Sequence, residues 1–112
     1  MLLPAGTKAV VDITKLHDYV LNPLHPRGRH KARVFATALN MHQDDAEALR
    51  RQLLSAAAGC DAVPGRRDEH GQRYTVDFEC INGPHRATVR SGWIVLVDEG
   101  IPRLTTCFVL SE

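Results

Sequence analysis

Six residues with chemical potential crowd the segment Asn22 to Phe35: His25, Arg27, Arg29, His30, Lys31 and Arg33, and no acidic residue occurs between Asp18 and Asp44. A chain of formal net charge +1 has therefore concentrated cations beside two imidazoles that titrate near neutral pH. Such a mixture suits the handling of phosphate: cations hold the anion, and a histidine moves a proton. Lys31 stands out by phase. It precedes Val34 and Phe35 by three and four residues, at the end of an apolar helical stripe, where an ammonium either meets an anion or snorkels its head to water. His25 is held between Leu24 and Pro26 in a loop stiffened by Pro23 and Pro26. That rigidity suits an acid or base, and equally a structural ring.

A second candidate cation, Arg90, falls inside a period-two segment on the same face as Thr88 and Gly92. There it could grip phosphate bidentately, with Gly92 leaving room for a ligand, or pair across strands with Asp77 or Glu79. Arg27, Arg29 and His30 extend the basic loop as substrate contacts, and Trp93 and Thr106 offer a stacking face and a hydroxyl. Trp93 as a core residue is the competing reading. The histidines lack nearby thiolates or a His-x-x-x-His spacing, so no metal site and no cofactor are expected. No Gly-x-Gly-x-x-Gly or Gly-Lys-Ser/Thr loop is present either.

The elements that must carry these groups divide the chain in two. Asp12 is an N-cap for a helix through about Leu21, with Ile13, Leu16, Tyr19 and Val20 as its stripe and Asn22-Pro23 as its stop. A second helix is expected over Arg29 to Leu39, with Val34, Phe35, Ala38 and Leu39 inward, and a third over Gln43 to Ala58. From Cys60 onward the pattern turns to alternation. A weak edge strand spans Ala62 to Arg67, and Tyr74 to Cys80 forms a half-buried strand. An Asn82-Gly83 turn leads to a strand over Arg86 to Val97, and Arg103 to Leu110 closes the set. The expected fold is α+β, one domain over residues 1–112: a helical half, 1–59, packed on one face of a four-stranded antiparallel meander, 60–112. No repeat, linker or low-complexity tract interrupts it.

Composition limits the partners. A pI near 7.8 gives no global basic field, so any nucleic acid must be held by a local patch. No apolar run reaches the roughly 20 residues that span a bilayer. Three widely spaced cysteines, Cys60, Cys80 and Cys107, suit reduced thiols and a cytoplasmic setting.

The combination Asn22-Pro23…His25-Pro26…Gly28…Lys31-Ala32…Phe35, Val89-Arg90-Ser91…Trp93 and Pro102-Arg103-Leu104…Thr106 resembles a small bacterial domain family of unknown function, over nearly the whole chain. That resemblance implies either free-standing proteins from compact gene pairs or C-terminal modules of toxin-like proteins. Phe108 stands where many members carry tyrosine, so no phenol is available there. The order of elements is also similar to the barnase, EndoU, colicin and RelE group of ribonuclease toxins, a likeness of fold. It implies metal-independent RNA cleavage by attack of the 2′-hydroxyl on the neighbouring phosphate. His25 would then be the acid or base, Lys31 and Arg90 the phosphate clamp, and a cognate protein the restraint. The other function open to this chain is a non-catalytic binding module, such as the partner of a toxin.

Overall fold

The computed structural model describes residues 1–110. After a 3-10 turn at Gly6–Lys8, Asp12 opens the first helix, its carboxylate accepting the Thr14 N–H at 3.0 Å and the Thr14 hydroxyl at 2.8 Å. This helix, α1, is α-helical over Ile13–Lys15 and widens to a π-helix over Leu16–Val20. Helix α2 spans Arg29–Leu39, and a 3-10 turn at Gln43–Asp45 leads into α3, Ala46–Gly59. Strands β1 (Val63–Arg67), β2 (Gly71–Asn82), β3 (His85–Leu96) and β4 (Pro102–Val109) form an antiparallel sheet in the order β1-β2-β3-β4.

Alternation decides which sheet face is covered. Val76, Phe78 and Cys80 of β2 and Val89, Ser91 and Trp93 of β3 are buried, whereas Asp77, Glu79, Thr88 and Arg90 between them are exposed. The buried set joins Leu16, Phe35, Leu39, Leu49 and Leu53 of the helices in one core. Within α2 the inward stripe is Ala32, Phe35 and Leu39. Val34 is turned outward and 40% exposed, a correction to the expected stripe: Phe35 and Leu39 fill the centre of the interface, which leaves Val34 on its margin.

Helix and sheet are also tied by backbone satisfaction. Asn40 ends α2 in the left-handed conformation, at φ 51°. Asn82, at the hairpin between β2 and β3, donates to the terminal carbonyls of Leu39 (2.8 Å) and Asn40 (3.2 Å). At the other end Val10 bridges β4 in parallel, its N–H reaching the Pro102 carbonyl at 2.9 Å. No described helix is long and apolar enough to cross a membrane.

Candidate functional site

The loop before α2 is built around one imidazole. Asn22 Oδ1 accepts the Leu24 N–H at 3.0 Å, turning the chain. His25 Nδ1 then accepts the N–H groups of Arg27 and Gly28, each at 3.0 Å. These donors lie at the start of α2 and have no helical partner, so the ring does the work of a cap. Accepting at Nδ1 assigns the neutral ring's proton to Nε2. The ring also packs edge-on against Tyr19, with centroids 4.7 Å apart. Gly28 is required at this point. A Cβ there would overlap the Tyr19 carbonyl oxygen, so only glycine lets the basic loop close on the π segment.

That closure delivers Lys31, one turn into α2, to Tyr19. The ammonium donates to the Tyr19 phenol at 3.3 Å and to Thr106 Oγ1 at 3.2 Å, and lies 5.0 Å from the Tyr19 ring centroid. Thr106 sits at an irregularity of β4. Gly92 and Trp93 of β3 face Thr106 and Leu104, so Thr105 is an extra residue between them, a β-bulge. The Thr105 carbonyl accepts from Lys15 Nζ at 3.5 Å. Two ammonium groups and the hydroxyl groups of Tyr19, Thr105 and Thr106 thus line one cavity of about 530 Å³, whose rim carries Asp12, Thr14 and Asp18.

The rim carboxylates are engaged locally. The Thr14 side-chain and backbone hydrogen bonds hold the Asp12 carboxyl below the usual carboxylate range, and Asp18 Oδ1 lies 2.6 Å from His17 Nδ1. Among the described residues no carboxylate lies within ion-pair distance of Lys31, Arg27 or Arg29. Nor do three or more His, Cys, Asp or Glu side chains gather there as a metal site.

The family described as Domain of unknown function (DUF6883) matches residues 2–111. The chain belongs to this family. No curated protein matches the DUF6883 chain. Among solved structures it is similar to a chain of a contact-dependent growth inhibition toxin–immunity protein complex from Klebsiella pneumoniae 342. The TM-score is 0.69 and the identity 17%, over 90% of this chain and 99% of that one. At that identity the likeness is one of fold.

Two further candidates of this DUF6883 domain, Arg90 and Trp93, lie outside the cavities that Lys31 lines. Arg90 grips Asp77, its cross-strand partner, through two hydrogen bonds of 2.9 Å, and lines a different cavity of about 370 Å³ with Asp61, Val63, Thr75 and Asp77. Arg90 and Lys31 therefore do not share a cavity. Trp93 is 1% exposed and its indole N–H donates to Ser91 Oγ at 2.9 Å, while Ser91 donates to the Val76 carbonyl at 2.7 Å. Burial withdraws both faces of the indole from stacking, which corrects its reading as a substrate contact. Arg27, Arg29 and His30 are exposed on the loop and the first turn of α2. The structure brings Thr106 to Lys31, and His25 reaches the same site through Tyr19. Sequence reasoning missed Tyr19, Lys15 and Thr105. Tyr19 falls on the apolar stripe of α1, which reads as core, and only the adjoining Asn-Pro-x-His-Pro loop hinted that it meets something polar.

Proposed function

We propose that this domain is a metal-independent endoribonuclease of toxin type, cleaving RNA by 2′-hydroxyl attack on the adjacent phosphate and held in check by a cognate protein. The observation that carries this reading is the state of Lys31. Its ammonium is fixed by two hydroxyl acceptors and, among the described residues, has no carboxylate within ion-pair distance. The two carboxylates that line the same cavity, Asp12 and Asp18, are engaged with Thr14 and His17, which leaves the ammonium ready for an anion. The likeness of fold to a chain of a toxin–immunity complex supports the toxin setting.

In this mechanism Lys31, with Lys15 across the cavity, holds the scissile phosphate and stabilises the pentacovalent transition state. The Tyr19 oxygen is already an acceptor for Lys31, so its own O–H points elsewhere and supplies the proton to the departing 5′-oxygen. The bond from the 2′-oxygen to phosphorus forms, the bond to the 5′-oxygen breaks, the 2′-hydroxyl proton leaves to water, and the Tyr19 phenolate takes a proton back from water. His25, with Nδ1 committed to the backbone, positions Tyr19 and keeps Nε2–H as its free donor. Arg27, Arg29 and His30 meet flanking phosphates. Arg90, in its own cavity, meets a flanking phosphate only where that phosphate displaces Asp77.

The test is purified protein incubated with total RNA in EDTA beside Lys31→Ala, Tyr19→Phe and Arg90→Ala. Cleavage by the wild type, lost with Lys31→Ala, is the expected result. Intact RNA at high protein concentration, together with no growth defect on expression, would sink the proposal. A tight complex with a neighbouring protein and no turnover by the released chain would select a non-catalytic binding module instead.

A further inference from the structure

Lys31 lines two cavities rather than one. Beside the polar cavity at Tyr19 and Thr106 lies an apolar groove of about 300 Å³, formed by His30, Lys31 and Val34 of α2 with Phe108 and Val109 of β4. Phe108 pairs with Arg90 and Thr106 pairs with Gly92, so both project on the sheet face opposite the buried Ser91 and Trp93. Val34, displaced from the core, exposes its methyl groups on the other wall. Neither Phe108 nor Val34 has its apolar surface fully covered by the fold.

From this adjacency we infer that the groove is a nucleobase subsite, Phe108 supplying the stacking face for the base of the nucleotide whose phosphate lies at Lys31. The inference rests on the RNA reading above and names residues that reading does not use. A nucleotide presents an anion and a flat apolar-faced ring a short distance apart. The two cavities present a cation with hydroxyls and an aromatic-lined groove, with Lys31 common to both. A free phosphate would fill the polar cavity alone and leave the groove without an occupant. Phenylalanine has no hydroxyl, so recognition proceeds by the π face, and larger purine rings are preferred through stacking rather than through hydrogen-bonded readout.

The experiment uses the full chain and short 2′-O-methyl oligoribonucleotides, which cannot be cleaved by 2′-attack, with an abasic residue scanned through each position. Binding is followed by fluorescence anisotropy for the wild type, Phe108→Leu, Phe108→Trp, Val34→Glu and Lys31→Ala. One abasic position is expected to weaken wild-type binding about 10-fold or more and to cost Phe108→Leu nothing further. Phe108→Trp keeps the penalty, and its indole emission is quenched by the intact oligonucleotide. Val34→Glu, at a 40% exposed helix position outside the buried core, weakens binding from the opposite wall, with a thermal melt to confirm that the variant folds. Equal abasic penalties in wild type and Phe108→Leu, with binding still lost in Lys31→Ala, overturn the base subsite and leave the RNA reading standing. No oligonucleotide binding by the wild type, with total RNA intact, overturns both.

Discussion

Lys31 of α2 and Thr106 of β4 are joined by a 3.2 Å hydrogen bond across 75 residues of sequence. This contact closes the cavity between the helical half and the last strand, beside the bulge at Thr105 where the register of β4 shifts. If the cavity binds the scissile phosphate, Lys31→Ala lowers kcat/KM for RNA on the order of 100-fold, the usual effect of losing one preorganised electrostatic donor. Thr106→Val, which keeps shape and loses only the acceptor, has a smaller effect and leaves the melting temperature nearly unchanged. Single-turnover cleavage assays with thermal melts check both. Equal loss of stability and activity in Lys31→Ala would assign the lysine to folding.

Gly28 separates close approach from ordinary packing. Its Cβ would collide with the Tyr19 carbonyl oxygen, whereas Gly59, at the end of α3, has nothing within 4 Å of an added Cβ. Gly28→Ala is therefore expected to destabilise by about 1–3 kcal/mol through overpacking. Gly59→Ala stays neutral or gains about 0.4–1 kcal/mol by restricting the unfolded chain. Urea titrations of the two variants, side by side, read the difference.

The three thiols should differ in reactivity. Burial pushes Cys107 up to about 12 and Cys80 up to about 11, while Cys60 is partly exposed at the end of α3. At pH 8 a maleimide probe is expected to label Cys60 alone in the native protein and all three after unfolding. Because the folded thiols resist ionisation, their contribution to stability is complete below the unfolded thiol range. It declines as pH rises toward the folded values of about 11 and 12. Rapid labelling of Cys107 in folded protein would contradict the buried core described here.

A carboxylate gives the opposite sign. The Arg90 hydrogen bonds, then its charge, hold the Asp77 carboxyl below the ordinary range. The stabilisation is present above the unfolded carboxylate value, near 3.9, and disappears as pH falls through the lower folded one. Arg90→Ala should thus lose less stability than the wild type between pH 7 and pH 3. Both side chains are well exposed, so the change is small and best read from paired urea midpoints. Identical pH profiles would mean that the pair contributes nothing in solution.

Much of the framework was legible because local rules agree with the fold. The punctuation by Pro23, Pro26 and Gly28 sets the start of α2, and its span, Arg29–Leu39, is the one its periodicity predicts. The Asp12 cap behaves likewise. Two boundaries moved for tertiary reasons. Strand β2 begins at Gly71 rather than Tyr74 because β3 pairs with it as far as Leu96, and pairing extends a strand beyond its own propensity. The strand expected over Arg86 to Val97 ends at Leu96, so Val97 lies past its end and is exposed.

The site was legible only in part. The phase of Lys31 marked it as a lysine at the edge of a core stripe, and the structure gives its ammonium two neutral hydroxyl acceptors where an anion or water was expected. Of the two readings of Arg90, cross-strand pairing with Asp77 is the one realised, because strand register places the two directly opposite.

What the chain determines by itself are the properties that depend on near neighbours: helix phase, caps, turns and the alternation that separates a buried from an exposed sheet face. Only the folded molecule decides which hydroxyls receive Lys31 and that Phe108 lines a groove with Lys31. These are contacts between segments far apart in sequence, fixed by register and by a single bulge. A one-residue change in either would turn a side chain to the opposite face without altering any local signal.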